Sequence, residues 1–146
     1  PGQRLFQYID EDGNQQEVTS SDVNAYLKEI SGRDITAKDF RTWTGTVLAA
    51  LALREFEQVD TQAAAKKNVR AAIEKVAARL GNTPTICRKC YVHPEIFTSY
   101  LDKQLMLEIK EEVDEELADE LPRLRPEEAA VLTLLHQRLA RGTAIA

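Results

Sequence analysis

The sequence has little of what would make a secreted, fibrous or membrane-spanning protein. Its 146 residues include only two cysteines, too few for a disulfide scaffold. No apolar signal core stands at Pro1-Gly2-Gln3-Arg4-Leu5, so a reducing, cytoplasmic setting is expected. No run approaches 18 consecutive apolar residues, and no transmembrane helix is expected. Six glycines and five prolines are too few for a collagen or a mucin-like stalk. The 43% hydrophobic and 29% charged residues fit one folded, helix-rich domain with a sizeable core. Positive charge is not in excess: 19 Lys plus Arg against 24 Asp plus Glu give a net charge of -5. That balance disfavours a purely electrostatic nucleic-acid coat, but it leaves room for a local basic patch.

Such a patch is visible in the chain's middle. From Lys66 to Tyr91 there are seven Lys or Arg and one Glu, whereas residues 104–146 hold five basic and ten acidic residues. The middle can face an anion while the tail faces water. The plainer alternative is two ordinary solvated helix faces.

Periodicity and turn residues lay out the elements. Leu5 to Ile9, a polar turn at Asp10-Glu11-Asp12-Gly13-Asn14, and Gln15 to Val18 read as a hairpin or edge strand. The Asp10/Asp12/Asn14 spacing is not a calcium loop, because Gln15 stands where glycine is needed and Ser21 where a bidentate Glu is needed. Ser20 or Ser21 is placed to cap a helix with Val23, Tyr26, Leu27 and Ile30 on one face, and Gly32 to end it. Thr36, with Asp39 at the N3 position, caps a second helix carrying Phe40, Trp43, Val47, Leu48 and Leu51 and ending before Asp60. Thr61 or Gln62 opens a third helix, with Val69, Ile73, Val76 and Leu80 as its stripe and Gly81 as its stop. Asn82-Thr83-Pro84-Thr85 turns into a short helix from Ile86 to about Tyr91. Pro94 suits the first position of another helix, with Ile96, Phe97, Tyr100 and Leu101, whose far limit is about Leu121. Beyond Pro122 and Pro126 a final helix holds Ala129, Leu132, Leu135 and Leu139.

Several residues are candidates for chemistry. Lys38 and Arg41, three apart at a helix start, can share a face beside free amides and a favourable dipole, with the hydroxyls of Thr42 and Thr46 as further donors; this suits an anion such as a phosphate. Asp39 between them competes as a simple cap. Tyr91 follows Arg88 and Lys89, cations that would stabilise a developing phenolate; most tyrosines, Tyr8, Tyr26 and Tyr100 included, are expected to pack instead. Cys87 and Cys90 form a CxxC that His93 extends. Structural zinc would need a distant fourth ligand such as His136, and a redox couple would need a preceding strand. Small core or boundary cysteines are the favoured reading. His93 is expected to be a polar joint before Pro94, and His136 a structural residue.

The segments Asp22-Val23-Asn24-Ala25-Tyr26-Leu27-Lys28, Thr36-Ala37-Lys38-Asp39-Phe40-Arg41-Thr42-Trp43 and Gly81-Asn82-Thr83-Pro84-Thr85-Ile86-Cys87-Arg88-Lys89-Cys90-Tyr91-Val92-His93-Pro94 resemble the type IB DNA topoisomerases, specifically their bacterial, poxvirus-like branch. The likeness spans nearly the whole chain and is best from Leu5 to Leu101. It implies a mainly α fold, the helical catalytic core shared with tyrosine recombinases, preceded by a short β hairpin or strand. It also implies ATP-independent DNA relaxation through a 3'-phosphotyrosyl intermediate. Tyr91 matches the attacking tyrosine, Arg41 the second of two phosphate-clamping arginines, and Lys38 the basic residue one turn before it. Asn82 stands where poxvirus enzymes have His; it can donate a hydrogen bond to a phosphoryl oxygen but carries no charge.

The resemblance implies double-stranded DNA as partner, with Lys66, Lys67, Arg70, Arg88 and Lys89 as backbone contacts. It implies no cofactor, metal or membrane, a monomer, and a bacterial nucleoid-associated location. The family's first arginine and its general-acid lysine match nothing in this chain. The expectation is therefore a C-terminal portion of the catalytic domain, with 1–20 as strands and turn, 21–103 as the helical core and 104–146 as an acidic helical tail. The upstream part of the parent enzyme would supply both missing groups, and this chain alone would relax DNA weakly or not at all. Alternatives are a tyrosine recombinase fragment and a non-catalytic helical DNA-binding module.

Overall fold

The computed structural model describes residues 4–56, 59–105 and 124–143. The chain divides into two compact units, Pro1–Arg41 and Thr42–Ala146.

The first unit opens with a hairpin. Strands β1 (Gln7–Ile9) and β2 (Gln15–Glu17) pair antiparallel, with Gln7 opposite Glu17 and Ile9 opposite Gln15. Its turn is organised by Asp10. The carboxylate accepts the backbone N–H groups of Asp12 (3.1 Å) and Asn14 (2.8 Å) and the side-chain amide of Gln16 (2.8 Å). These bonds, the Gln16 one foremost, hold the Asp10 carboxyl below its ordinary range. The calcium-like spacing is thus turn chemistry, with Gly13 at φ 80° supplying the left-handed residue.

Helix α1 (Ser20–Ser31) follows, and its cap is Thr19 rather than Ser20 or Ser21. The Thr19 hydroxyl accepts the Asp22 N–H at 3.2 Å, and the Asp22 carboxylate accepts the Thr19 N–H at 2.7 Å. This reciprocal box places the boundary one residue early. Gly32 closes the helix in the left-handed conformation. The stripe of Val23, Tyr26, Leu27 and Ile30 buries none of its members, and Ile30 remains 62% exposed. Spacing sets a stripe but provides no partner to cover it.

Helix α2 (Ala37–Glu55) begins in the first unit and continues into the second. The second unit adds α3 (Gln62–Leu80), the short α4 (Pro84–Ile86), a π-helical turn (Cys87–Tyr91), α5 (Pro94–Leu101) and α6 (Pro126–Thr143). Its core joins Val47, Ala49, Ala50 and Leu53 of α2 to Val69, Ala72, Ile73 and Val76 of α3, Ile96 and Phe97 of α5, and Val131 and Leu135 of α6. Ala49, Ala50 and Ala72 are fully buried. With no side chain beyond Cβ, they let neighbouring backbones approach closely.

Thr61 caps α3, accepting the Ala64 N–H at 3.2 Å, and Gly81 ends it at φ 70°. The expected helix from Ile86 to Tyr91 differs in form. It begins at Pro84, capped by Thr83, and opens into the π turn at Cys87. Helix α5 ends at Leu101; the stretch from 106 to 121 lies outside the described residues. Arg138 ties α6 to the first turn of α5 and to the residues just after its last turn. Its guanidinium donates to Glu95 (2.9 Å), Asp102 (3.1 Å) and Gln104 (2.6 Å). The architecture is mainly α with an N-terminal β hairpin.

Candidate active site

Lys38 and Arg41 lie in the first turns of α2, with Lys38 exposed and Arg41 half-buried. The start of this helix is fixed by Asp39, whose carboxylate accepts the Thr36 N–H (2.7 Å) and hydroxyl (2.9 Å). The same two bonds, the backbone one first, keep the Asp39 carboxyl below its ordinary range. Asp39 is therefore the cap that the sequence suggested. Lys38 and Arg41 belong to the first unit, Asn82 and Tyr91 to the second.

In the second unit Asn82 follows the left-handed Gly81, and its N–H donates to the Ala77 carbonyl at 2.9 Å, closing α3. Asn82 is half-buried. Tyr91, also half-buried, is the last residue of the π turn, which packs against α3 and α4. Such turns widen the backbone by one residue and frequently occur at functional sites. Val92 then takes extended dihedrals, φ −128° and ψ 127°, and its side chain enters the core. Tyr91 and His93, both half-buried, flank this buried valine.

The chain from Cys90 to His93 lies along α2. The Thr42 hydroxyl donates to the Cys90 carbonyl at 3.4 Å. The Thr46 hydroxyl donates to the Thr42 carbonyl at 2.7 Å and accepts the His93 N–H at 3.0 Å. Between them, a Cβ built on Gly45 would fall 2.2 Å from the Tyr91 carbonyl oxygen. The expectation that Thr46 offers its hydroxyl to an anion is thereby corrected. The group is 2% exposed and occupied on both sides by backbone. Sequence reasoning passed over Gly45 as well. The signal was a glycine in a helix interior, where it costs about 1 kcal/mol relative to alanine unless close approach requires it.

The remaining candidates fall as follows. Lys66, Lys67 and Arg70 are exposed on α3, and Arg88 and Lys89 are exposed on the π turn. Arg88 stands 5.5 Å from the centre of the Phe97 ring. Lys75, another of the basic run, pairs with Glu55 at 3.3 Å. Cys87 is buried and Cys90 half-buried, and no disulfide joins them. Among the described residues no group of three or more His, Cys, Asp or Glu could hold a metal ion. His93 is the joint expected of it: it caps α5, its Nδ1 accepting the Glu95 N–H at 3.2 Å. His136, expected to be structural, is instead exposed, because it lies on the outer face of α6. Tyr100 is packed, and its hydroxyl accepts from the Asn68 amide at 2.7 Å. Tyr8 and Tyr26, expected to be half-buried, are 54% and 61% exposed, because the first unit has no core to receive them. No described helix is long and apolar enough to cross a membrane.

Comparison with known families decides what this arrangement belongs to. The model of the eukaryotic DNA topoisomerase I catalytic core matches residues 1–137. The chain belongs to the DNA topoisomerase I catalytic-core family. Among relatives, the DNA topoisomerase 1B of Acanthamoeba polyphaga mimivirus is 38% identical over 98 residues, covering 62% of this chain. The chain spans about 29% of that viral topoisomerase's length. The topoisomerase match takes in the hairpin, the capped start of α2 and the π turn, so both units fall within the family's core.

Proposed function

We propose that this chain carries the nucleophile and part of the phosphate clamp of a type IB DNA topoisomerase. The observation that carries the reading is the family match over residues 1–137, which includes a half-buried tyrosine closing a turn that exposes two cations, Arg88 and Lys89. In this reading the Tyr91 phenol loses its proton and its oxygen attacks the scissile phosphorus. The bond to the 5'-oxygen breaks, leaving a 3'-phosphotyrosyl link and, once that oxygen is protonated, a 5'-hydroxyl. Return attack by the 5'-hydroxyl reseals the strand. The link conserves the phosphodiester's energy, so rejoining needs no ATP.

Arg41 and Lys38 supply charge-assisted donors to the non-bridging oxygens, and Asn82 adds a neutral one. In this reading the enzyme is of the bacterial branch, cytoplasmic and nucleoid-associated. Lys66, Lys67, Arg70, Arg88 and Lys89 contact the backbone of double-stranded DNA. A monomeric enzyme suffices for this chemistry. The clamp's other arginine and the general acid for the 5'-oxygen come from the rest of a longer enzyme, so this chain relaxes supercoiled plasmid slowly or not at all.

The test removes the need for that acid. A duplex with sulfur in place of the scissile 5'-oxygen releases a thiolate, which departs without a proton. The chain is expected to form a covalent adduct with this DNA, mapped by mass spectrometry to Tyr91. Tyr91→Phe abolishes it, and Arg41→Ala slows it by about 10²- to 10³-fold, the worth of one transition-state donor. An adduct on another residue, or none at saturating DNA, overturns the proposal.

A further inference from the structure

One face of α2 meets backbone atoms of the tyrosine-bearing segment. Thr42, Gly45 and Thr46 stand at i, i+3 and i+4, one stripe of the helix. They meet the Cys90 carbonyl, the Tyr91 carbonyl and the His93 amide respectively. The Thr46 hydroxyl has a single proton, which goes to the Thr42 carbonyl at 2.7 Å, so a lone pair is left to face the His93 N–H at 3.0 Å. Its orientation is thereby set from both sides in a site only 2% exposed. At Gly45 the constraint is steric. A methyl group there would sit 2.2 Å from a backbone oxygen, and the nearest other atom, Leu80 Cδ1, is 3.2 Å away. The obstacle at 2.2 Å is main chain and cannot rotate aside.

We propose that Gly45 and Thr46 are positioning residues for the Tyr91 phenol. They hold the backbone on either side of it in one register along α2. The inference rests on Tyr91 as the nucleophile. A π turn closes through i to i−5 bonds, so its last residue is carried one position out of the regular i to i−4 register. The contacts with α2 brace that offset register from outside the turn. Displacing a reacting group by about 1 Å costs on the order of 100-fold in rate. Neither Gly45 nor Thr46 need touch DNA to have that effect.

The experiment compares Thr46→Val, which keeps the shape but loses the acceptor, Thr46→Ser, which keeps the hydroxyl, and Gly45→Ala. Each is measured for single-turnover adduct formation on the sulfur-substituted duplex, for DNA affinity, and for hydrogen exchange at the His93 amide. Tyr91 is labelled with 13C on its ring so that its NMR signals report its environment directly. Thr46→Val and Gly45→Ala are expected to slow adduct formation about 100-fold with Kd changed less than about threefold, and to shift the Tyr91 signals. Thr46→Val also speeds exchange at His93, and Thr46→Ser restores rate, signals and protection. Wild-type rates and signals in both Thr46→Val and Gly45→Ala overturn the proposal. So does a loss that Thr46→Ser fails to rescue, or one matched by an equal loss of DNA affinity. If the wild-type chain forms no adduct, the nucleophile reading fails by itself; the Tyr91 signals and His93 exchange then decide whether these residues set the register of the segment.

Discussion

Glu128 offers a sharp test of how the second unit is braced. It is the third residue of α6, and its carboxylate reaches back to accept the Arg125 N–H at 3.0 Å while its other oxygen accepts the Trp43 indole N–H at 3.2 Å. Trp43 is the sole tryptophan and lies between Thr42 and Gly45, so this carboxylate links the start of α6 to the stretch of α2 that carries Tyr91's neighbours. The side chain is 17% exposed, so the bonds are partly shielded from water. Glu128→Gln keeps the shape but removes the charge and leaves one oxygen for three donors, the Arg125 N–H, the Arg125 guanidinium at 3.5 Å and the Trp43 indole. A hydrogen bond to a charged group contributes about 1.5–3 kcal/mol; the exposed Arg125 guanidinium adds little, and one of the two shielded bonds survives at neutral strength, so the expected loss is about 1–2 kcal/mol. At this chain length that lowers Tm by about 3–8 °C.

The same carboxyl predicts a pH dependence. Its hydrogen bond from Arg125, then those from the Arg125 and Trp43 side chains, lower its pKa from the ordinary 4.5, against a smaller opposing effect of burial. A depressed folded pKa gives stability that is complete above the ordinary value and is lost as pH falls through the folded one. Indole emission followed through an acid titration should show a transition beginning below pH 4.5 that is absent in Glu128→Gln. A double-mutant cycle with Trp43→Phe should give a coupling of at least about 0.5 kcal/mol. An additive cycle, an unchanged Tm and an unaltered titration would together refute the link.

Three further outcomes are expected. The Ser99 hydroxyl is fully buried and has no hydrogen-bond partner among the described residues; Ser99→Ala should be neutral or raise stability by about 1 kcal/mol in urea denaturation. Arg138 is 16% exposed and serves three acceptors; Arg138→Met should destabilise by about 1–3 kcal/mol with early loss of exchange protection in α6. Removing both Lys66 and Lys67 should weaken DNA binding regardless of sequence and reduce the slope of log K against log salt by about 2, read by titration at several ionic strengths.

Much of the fold was legible because local rules decided it. Gly32 and Gly81 end helices where the chain must turn left-handed, Thr36 and Asp39 form the expected cap, and Pro94 starts α5 after a capping His93. What the sequence concealed depends on partners distant along the chain. Nothing local says that Thr46 will meet His93, 47 residues away, or that Gly45 leaves room for Tyr91. The π turn was invisible for the same reason. The periodicity of Cys87 to Tyr91 is compatible with an ordinary helix, and the segment's departure from one accompanies contacts with α2 that no window of five residues contains. The α1 stripe erred the other way, since an amphipathic pattern identifies a face without naming what lies against it.

The length of that wide turn has a consequence for any rearrangement of the gene. A π turn amounts to one residue more than an α-helical turn of the same span. Deleting a single codon between Cys87 and Tyr91 would let the coil tighten to α pitch, and each residue of an α-helix advances about 100° around its axis. Because the extra residue is held within the same span, the residues on either side would keep nearly the same azimuth, and the loss would fall on the turn's own backbone where it lies against α2. Thr42 and Gly45 are matched to a backbone of that width, so the number of residues in this stretch matters beside their identity.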